Sequence, residues 1–217
     1  MKNNLILSII MLISSYNFLI SQNFRGLDRS PMDKTYYPTS FRSTEKIVEI
    51  TYSRPQLRGR TFSEVVPDDK IWRTGANEAT IITVYKQIQI DNLILEPGTY
   101  TLFTIPKGNT ITVIISKPNS NFNWGTYSYN SDDDILRLNV PLNKDENSLD
   151  VFSVAFSASS EQPKIFFGWG LKRFEVPFQV VPSGSHLHLR SRRRRLLALL
   201  LDGDSPPLLL RRLEVLL

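Results

Sequence analysis

The 217-residue chain contains no cysteine, and its two histidines, His186 and His188, both fall among the last 35 residues. Everything before residue 183 therefore lacks thiol and imidazole. That excludes Ser-His-Asp and Cys-His nucleophilic catalysis, His-ligated zinc, copper or iron, and thiol redox chemistry from the body of the protein. It also excludes a disulfide framework. Neither GxGxxG nor P-loop spacing occurs, so dinucleotides and nucleotides have no motif to hold them, and no cofactor is expected. An excess of charge is missing too. The formal net charge of +5 comes from the ends: Lys2 adds one, and residues 183–217 hold seven Arg against Asp202, Asp204 and Glu214. Residues 23–182 carry 18 basic and 18 acidic groups. An electrostatic footprint for nucleic acid has to lie on the folded surface, and a neutral body predicts no such partner.

The two ends differ from this body. MKNN is followed by the run Leu5–Ile13, which is apolar but for Ser8, and then by the polar break SSYN. A short positive region, a short apolar run and a polar break describe a secretory signal peptide over residues 1–21. A membrane-spanning helix needs ~20 mostly apolar residues, and Ser14, Ser15 and Asn17 interrupt this one early. The alternative is an uncleaved anchor through Ile20. No cysteine follows the run, so a lipid anchor is excluded, and no stable membrane insertion is expected after cleavage. At the other end, residues 183–217 contain 13 Leu and seven Arg, with no Lys, Tyr, Phe, Asn or Thr. RRRRLLALLL could lie on an anionic lipid surface. The composition, and the scar-like VPSGSH before it, instead mark the segment as a foreign extension that takes no part in the fold.

Between these ends the apolar pattern has period two. KIVEITYS, TIITVYKQIQI, TYTLFTI, TITVIIS, DILRLNV, LDVFSVAFS and KIFFGWGLKRFEVPFQV are rich in β-branched and aromatic residues, the composition and alternation of strands. Turn residues separate them at Glu96-Pro97-Gly98, Pro106–Asn109 and Asn143–Asn147. No segment shows a sustained helical period, and Ser63–Lys70 is expected to form at most a helical turn. The expected fold is all-β, a single antiparallel β-sandwich of seven or eight strands over residues 26–181.

Carboxylate, guanidinium, amide and aromatic chemistry is what remains. Asn130-Ser131-Asp132-Asp133-Asp134 is an oxygen-rich run of the kind that binds calcium, but it has no glycine for a sharp ligand loop, so a solvated turn is expected and no metal. Trp72–Thr80 (WRTGANEAT) puts an aromatic ring, Arg73, Asn77 and Glu78 around Gly75. Arg73 and Glu78 could pair with each other to close a loop over a buried Trp72. Alternatively, the guanidinium, amide and carboxylate could offer hydrogen bonds to a polar ligand. Arg54, held extended by the proline after it, is a supporting candidate, with Arg58 and Arg60 expected on a solvated loop or, alternatively, at an anion site. Trp124 and Tyr127 flank Gly125 in an aromatic loop that could stack on sugar rings or plug the end of the sandwich.

GLDRSPMDKTYYP (26–38), ITYSRPQLRGR (50–60), IWRTGANEAT (71–80), LEPGTYTLFTIP (95–106), TVIISK (112–117), WGTYSY (124–129), DILRLNVPL (134–142) and WGLKRFEVPF (169–178) occur in this order. Together they resemble the DUF2911 family, exported proteins of unknown function from Bacteroidota-type bacteria. The resemblance covers about residues 26–180 and implies that Gly26–Pro38 is an ordered N-terminal strap. It stops before Pro182, which fits a foreign tail. Asn119–Asn123 and Asp132–Asp134 depart from the family pattern. An unknown-function family transfers no catalytic role. The expectation is an exported, periplasmic or surface-associated β-sandwich that binds a glycan or peptide through Arg73, Asn77, Glu78, Arg54, Trp124 and Tyr127. The rivals are a structural envelope protein with no ligand, and a carboxylate-dependent hydrolase built on Glu78.

Overall fold

In VEITYS the alternation sends Val48, Ile50 and Tyr52 to one face and Glu49 and Thr51 to the other, and that alternation is repeated strand after strand. In the computed structural model, which describes residues 24–118, 124–127, 129–158 and 161–182, these faces assemble into antiparallel layers. The expected signal peptide (1–21), the tail (183–217) and the Asn119–Asn123 departure lie outside the described residues.

The chain runs through β1 (Met32–Tyr37), β2 (Val48–Ser53), a one-turn helix α1 (Phe62–Val65), β3 (Thr80–Val84), β4 (Ile88–Ile90), β5 (Leu93–Leu95), β6 (Gly98–Lys107) and β7 (Thr110–Ser116). It continues through β8 (Asp134–Pro141), β9 (Asn143–Phe156), β10 (Lys164–Pro177) and β11 (Gln179–Val180). A six-stranded sheet has the order β1-β2-β3-β6-β7-β8. The second layer contains the β9–β10 ribbon and a small sheet ordered β11-β4-β5. The protein is all-β and sandwich-like, with its antiparallel sheets not closed into a barrel.

The core lies between the layers. Ile50, Ile82, Leu102, Ile111, Val113 and Ile115 of the large sheet face Phe152, Ile165, Phe167 and Trp169 of the ribbon, all essentially without solvent contact. Trp72 and Trp169 stack with ring centroids 5.5 Å apart and planes 15° apart, and Phe62 and Phe152 meet both indoles edge-on. Such aromatic pairs add to the energy of burial itself. A smaller apolar cluster sits on the other face of the large sheet, where Phe103 and Ile114 are covered by Tyr129.

One strand is shared between the layers. After Ser53 the chain turns at Arg54, and Pro55–Leu57 joins the outer edge of β9: Phe152 N donates to Pro55 O (2.9 Å) and Leu57 N to Asp150 O (2.8 Å). Arg54 clamps the crossing. Its guanidinium donates to the Asp33 carboxylate of β1 (2.9 Å), the Phe152 carbonyl (3.2 Å) and the Ser153 hydroxyl (2.9 Å). Tyr52 closes the same seam, with its hydroxyl accepting from Val154 N at 3.0 Å. On the outer face of β2, Glu49 is buried between Lys34 (2.8 Å) and Lys46 (2.6 Å). Burial pushes its carboxyl up, and the two ammonium groups outweigh that and hold it below the ordinary glutamate value.

Several sequence expectations need adjusting. Gly26–Pro38 does include a strand, β1, on the edge of the large sheet. TIITVYKQIQI is two strands rather than one: the Ile47 carbonyl captures the Tyr85 N–H (2.8 Å), the chain turns, and Ile88–Ile90 enters the other layer. KIFFGWGLKRFEVPFQV likewise breaks at Phe178, where Phe178 N donates to Pro163 O. Asn143–Asn147 is not a turn but the start of β9, because Leu142 is drawn into the core and Lys172 and Arg173 pair with Lys144 and Asn143. The helical turn begins one residue earlier than expected, at Phe62, fixed by a Thr61–Glu64 capping box.

Replacing Trp169 by Ala removes the ring on which Trp72, Phe62 and Phe152 converge. A loss of about 3–5 kcal/mol is expected in chemical denaturation, the range for truncating a buried aromatic side chain.

Candidate functional site

The Trp72–Thr80 segment is an excursion from the large sheet pinched at its base. Trp72 pairs with Thr104 of β6 through two backbone hydrogen bonds of 2.7 and 2.9 Å, and Thr80 pairs with Leu102 on the same strand. Thr80 N donates to Arg73 O at 3.0 Å and closes the neck. Below the loop, three buried threonines satisfy each other and the backbone. Thr74 Oγ1 lies 3.1 Å from Thr104 Oγ1, and Thr80 Oγ1 donates to Thr74 O at 2.7 Å. The Trp72 indole N–H donates to Gly75 O at 3.0 Å, tying the loop to the aromatic core. Gly75 packs so tightly that an added Cβ would lie 3.1 Å from Ser53 O.

The loop backbone is strained where it matters. Thr74 (φ 54°) and Asn77 (φ 58°) both occupy the left-handed region, which is disfavoured for a side-chain-bearing residue and most of all for a β-branched one. These turns set Ala76, Asn77 and Glu78 at the rim, each half-buried.

A second loop, Trp124–Tyr127, lies against the first. Glu78 and Trp124 form an isolated antiparallel bridge, and Gly125 N donates to Asn77 O at 2.9 Å. The same carbonyl accepts from Arg73 Nη1 at 3.2 Å. Gly125 has φ 67°, and a Cβ there would stand 3.0 Å from Arg73 Nη1 and 3.3 Å from the Tyr127 ring, so a glycine is what allows the guanidinium and the phenol ring to approach the same point. Trp124 and Tyr127 themselves are exposed, at 44% and 84%.

The structure thus brings Arg73, Asn77, Glu78, Trp124 and Tyr127 together. Arg54 is not among them: its three hydrogen bonds are spent on the strand crossing. Arg73 and Glu78 do not pair with each other. Arg73 donates only to the Asn77 carbonyl, and the Glu78 carboxylate has no hydrogen-bond or ion-pair partner among the described residues. The loop is closed by backbone instead. Trp72, by contrast, is buried as the ion-pair reading supposed.

Sequence reasoning missed Asp28. The Asn77 side chain donates to its Oδ1 at 3.2 Å, and Ser30 N donates to the same oxygen at 2.7 Å. These two hydrogen bonds, with Arg29 nearby, hold the Asp28 carboxyl below its ordinary pKa. Forty-nine residues separate Asp28 from Asn77, and no local pattern connects them. The acidic run folds as a local turn, with one of its carboxylates bound. Asn130 caps a 3-10 turn over Ser131–Asp133, and Asp134 Oδ2 accepts from Tyr129 (2.8 Å) and Arg137 (2.6 Å).

A family model described as a protein of unknown function (DUF2911) matches residues 30–178. No curated protein and no solved structure matches the chain.

Truncation should separate the scaffold from the rim. Arg54→Ala is expected to cost about 1–3 kcal/mol in urea unfolding, because it leaves the Asp33 carboxylate and the Phe152 carbonyl without their donor. Glu78→Ala, whose carboxylate holds nothing in place, should stay within about 0.5 kcal/mol of the parent.

Proposed function

The chain belongs to the DUF2911 family, and we propose that it is a binding module whose Arg73–Glu78 loop, flanked by Trp124 and Tyr127, captures a polar ligand of the glycan or peptide class. One arrangement carries this reading: a guanidinium and a carboxylate held on one rigid loop without neutralising each other. Here the strained backbone at Thr74 and Asn77 and the buried threonines beneath fix the loop backbone that presents the two groups, which is the preorganisation that reduces the cost of binding. The remaining donors of Arg73 suit a carboxylate or a hydroxyl oxygen, the Glu78 carboxylate accepts from hydroxyl or amide N–H, and the exposed Trp124 and Tyr127 rings offer apolar faces beside them. Sugars and peptides both present that mixture of polar edges and apolar surface.

The apolar run Leu5–Ile13, with a lysine before it and polar residues after it, supports a working location outside the cytoplasm, in the periplasm or on the cell surface. N-terminal sequencing of protein recovered from the cell envelope should then begin near residue 22. A mature chain that still carries residues 1–20 would overturn the cleaved-leader assignment.

Binding is tested by a thermal-shift screen of bacterial glycans and short peptides, followed by calorimetry. A ligand at 100 times its dissociation constant stabilises the fold by ~2.7 kcal/mol. Arg73→Ala, Glu78→Ala and Trp124→Ala should each abolish the shift while remaining folded. A ligand whose affinity none of the three variants alters would place the site elsewhere.

A further inference from the structure

Alternation along the β9–β10 ribbon sorts its charged residues by face. Asn143, Asp145, Arg173 and Glu175 line a groove on one side, where opposite charges are matched: Arg173 Nε lies 3.3 Å from Asp145, and Glu175 takes Lys164 at 2.6 Å. Lys144 and Lys172 fall on the other side. They are direct cross-strand partners in the ladder, an arrangement that places like charges about 5 Å apart at their Cβ atoms and destabilises a sheet. Neither ammonium has a hydrogen-bond or ion-pair partner among the described residues.

Both lysines open into a second cavity, of about 400 Å³, which Arg60 also lines. The Arg60 guanidinium is fixed rather than free to swing. Its Nε donates to Leu57 O at 2.9 Å and its Nη2 to Gln56 O at 3.2 Å, leaving Nη1 uncommitted. Ser63 and Ser148 add hydroxyls, and Leu57, Phe62 and Leu171 form an apolar wall. Among the described residues no carboxylate lines this cavity. Glu146, two residues after Lys144 on β9 and so on the same face of the strand, lies outside the lining, and three other acidic groups of the neighbouring elements are held by partners of their own. Glu64 accepts from the Thr61 N–H and hydroxyl at 2.6 and 2.8 Å, Asp145 faces Arg173, and Asp150 accepts from Arg58 N at 2.9 Å. Gly170, with φ 56°, carries β10 around the cavity floor, where a Cβ would press on Leu57 at 3.1 Å.

We propose that this cavity is an anion site, separate from the Arg73 loop, that takes a phosphate-bearing small molecule. Two lysines paired across the ladder and lining one cavity, with a pre-positioned guanidinium, match a compact dianion, for which Arg provides directed hydrogen bonds and Lys provides point charge. A bound dianion would offset the Lys144–Lys172 juxtaposition in the ladder. Nothing in this assignment depends on the ligand of the Arg73 loop.

The test is calorimetry of the full chain with inorganic pyrophosphate at low ionic strength, where surface charge is least screened, and with sulfate as the comparison dianion. Pyrophosphate should bind, sulfate more weakly, and Lys144→Gln/Lys172→Gln should weaken pyrophosphate at least tenfold, while Arg73→Ala leaves it unchanged. In phosphate-free buffer, Lys144→Gln alone should raise the melting temperature by about 2 °C, because it removes the like-charge pair. Absence of pyrophosphate binding, or equal affinity in the parent and the double variant, overturns the assignment. Equal affinity for sulfate and pyrophosphate reduces it to a non-selective charge patch and overturns the phosphate class.

Discussion

Trp72 is the residue on which the rest depends. Its backbone belongs to the large sheet through Thr104, its ring belongs to the core between the layers through Trp169, and its indole N–H belongs to the loop through Gly75. The layers and the loop are therefore not independent. Any movement that slides the β9–β10 ribbon over the large sheet disturbs the indole stack, and through Gly75 O it disturbs the backbone that presents Asn77 and Glu78. The rigidity of the rim is inherited in part from the hydrophobic core, and the neck, the threonine hydrogen bonds and the Gly125–Asn77 contact add to it.

Much of this was legible from residue pattern. Alternation in Val48–Ser53 and Thr110–Ser116 marks strands with one face inward, and the segment from Ser63 stands out as the one place for a helical turn. The errors have a common cause. Period-two alternation shows that a segment is extended and half-buried, but it does not identify the sheet to which the segment belongs. Thr80–Ile90 reads as one strand because both layers want the same residue types at the same spacing. Only the Ile47 carbonyl, more than thirty residues upstream, bends the chain between them. Asn143–Asn147 has the composition of a turn and is held extended by Lys172 and Arg173 across the ribbon, a contact that no local reading contains.

The site shows the same division. Arg73, Asn77 and Glu78 stand out by residue type, and the aromatic pair Trp124 and Tyr127 stands out beside a glycine. That Arg73 and Glu78 remain apart could not be read from their spacing, since it depends on left-handed backbone at Thr74 and Asn77, neither of which is glycine. Asp28 and Arg54 illustrate the two directions of error. Asp28 joins the rim from a distance that sequence does not encode, and Arg54 has the chemistry of a ligand contact yet spends it on joining two sheets.

The neck at Thr80 N and Arg73 O has a consequence for how such a domain can change. Since Trp72 and Thr80 both remain in register with β6, the residues between them do not transmit their identity to the sheet. Thr74 and Gly75 are fixed by the packing below, and Ala79 by the small cluster around Phe103. That leaves Ala76, Asn77 and Glu78 as a window of three side chains that can be exchanged without renegotiating any strand pairing. Members of a lineage built on this scaffold can therefore diverge in the side chains they display while the architecture that displays the window remains the same.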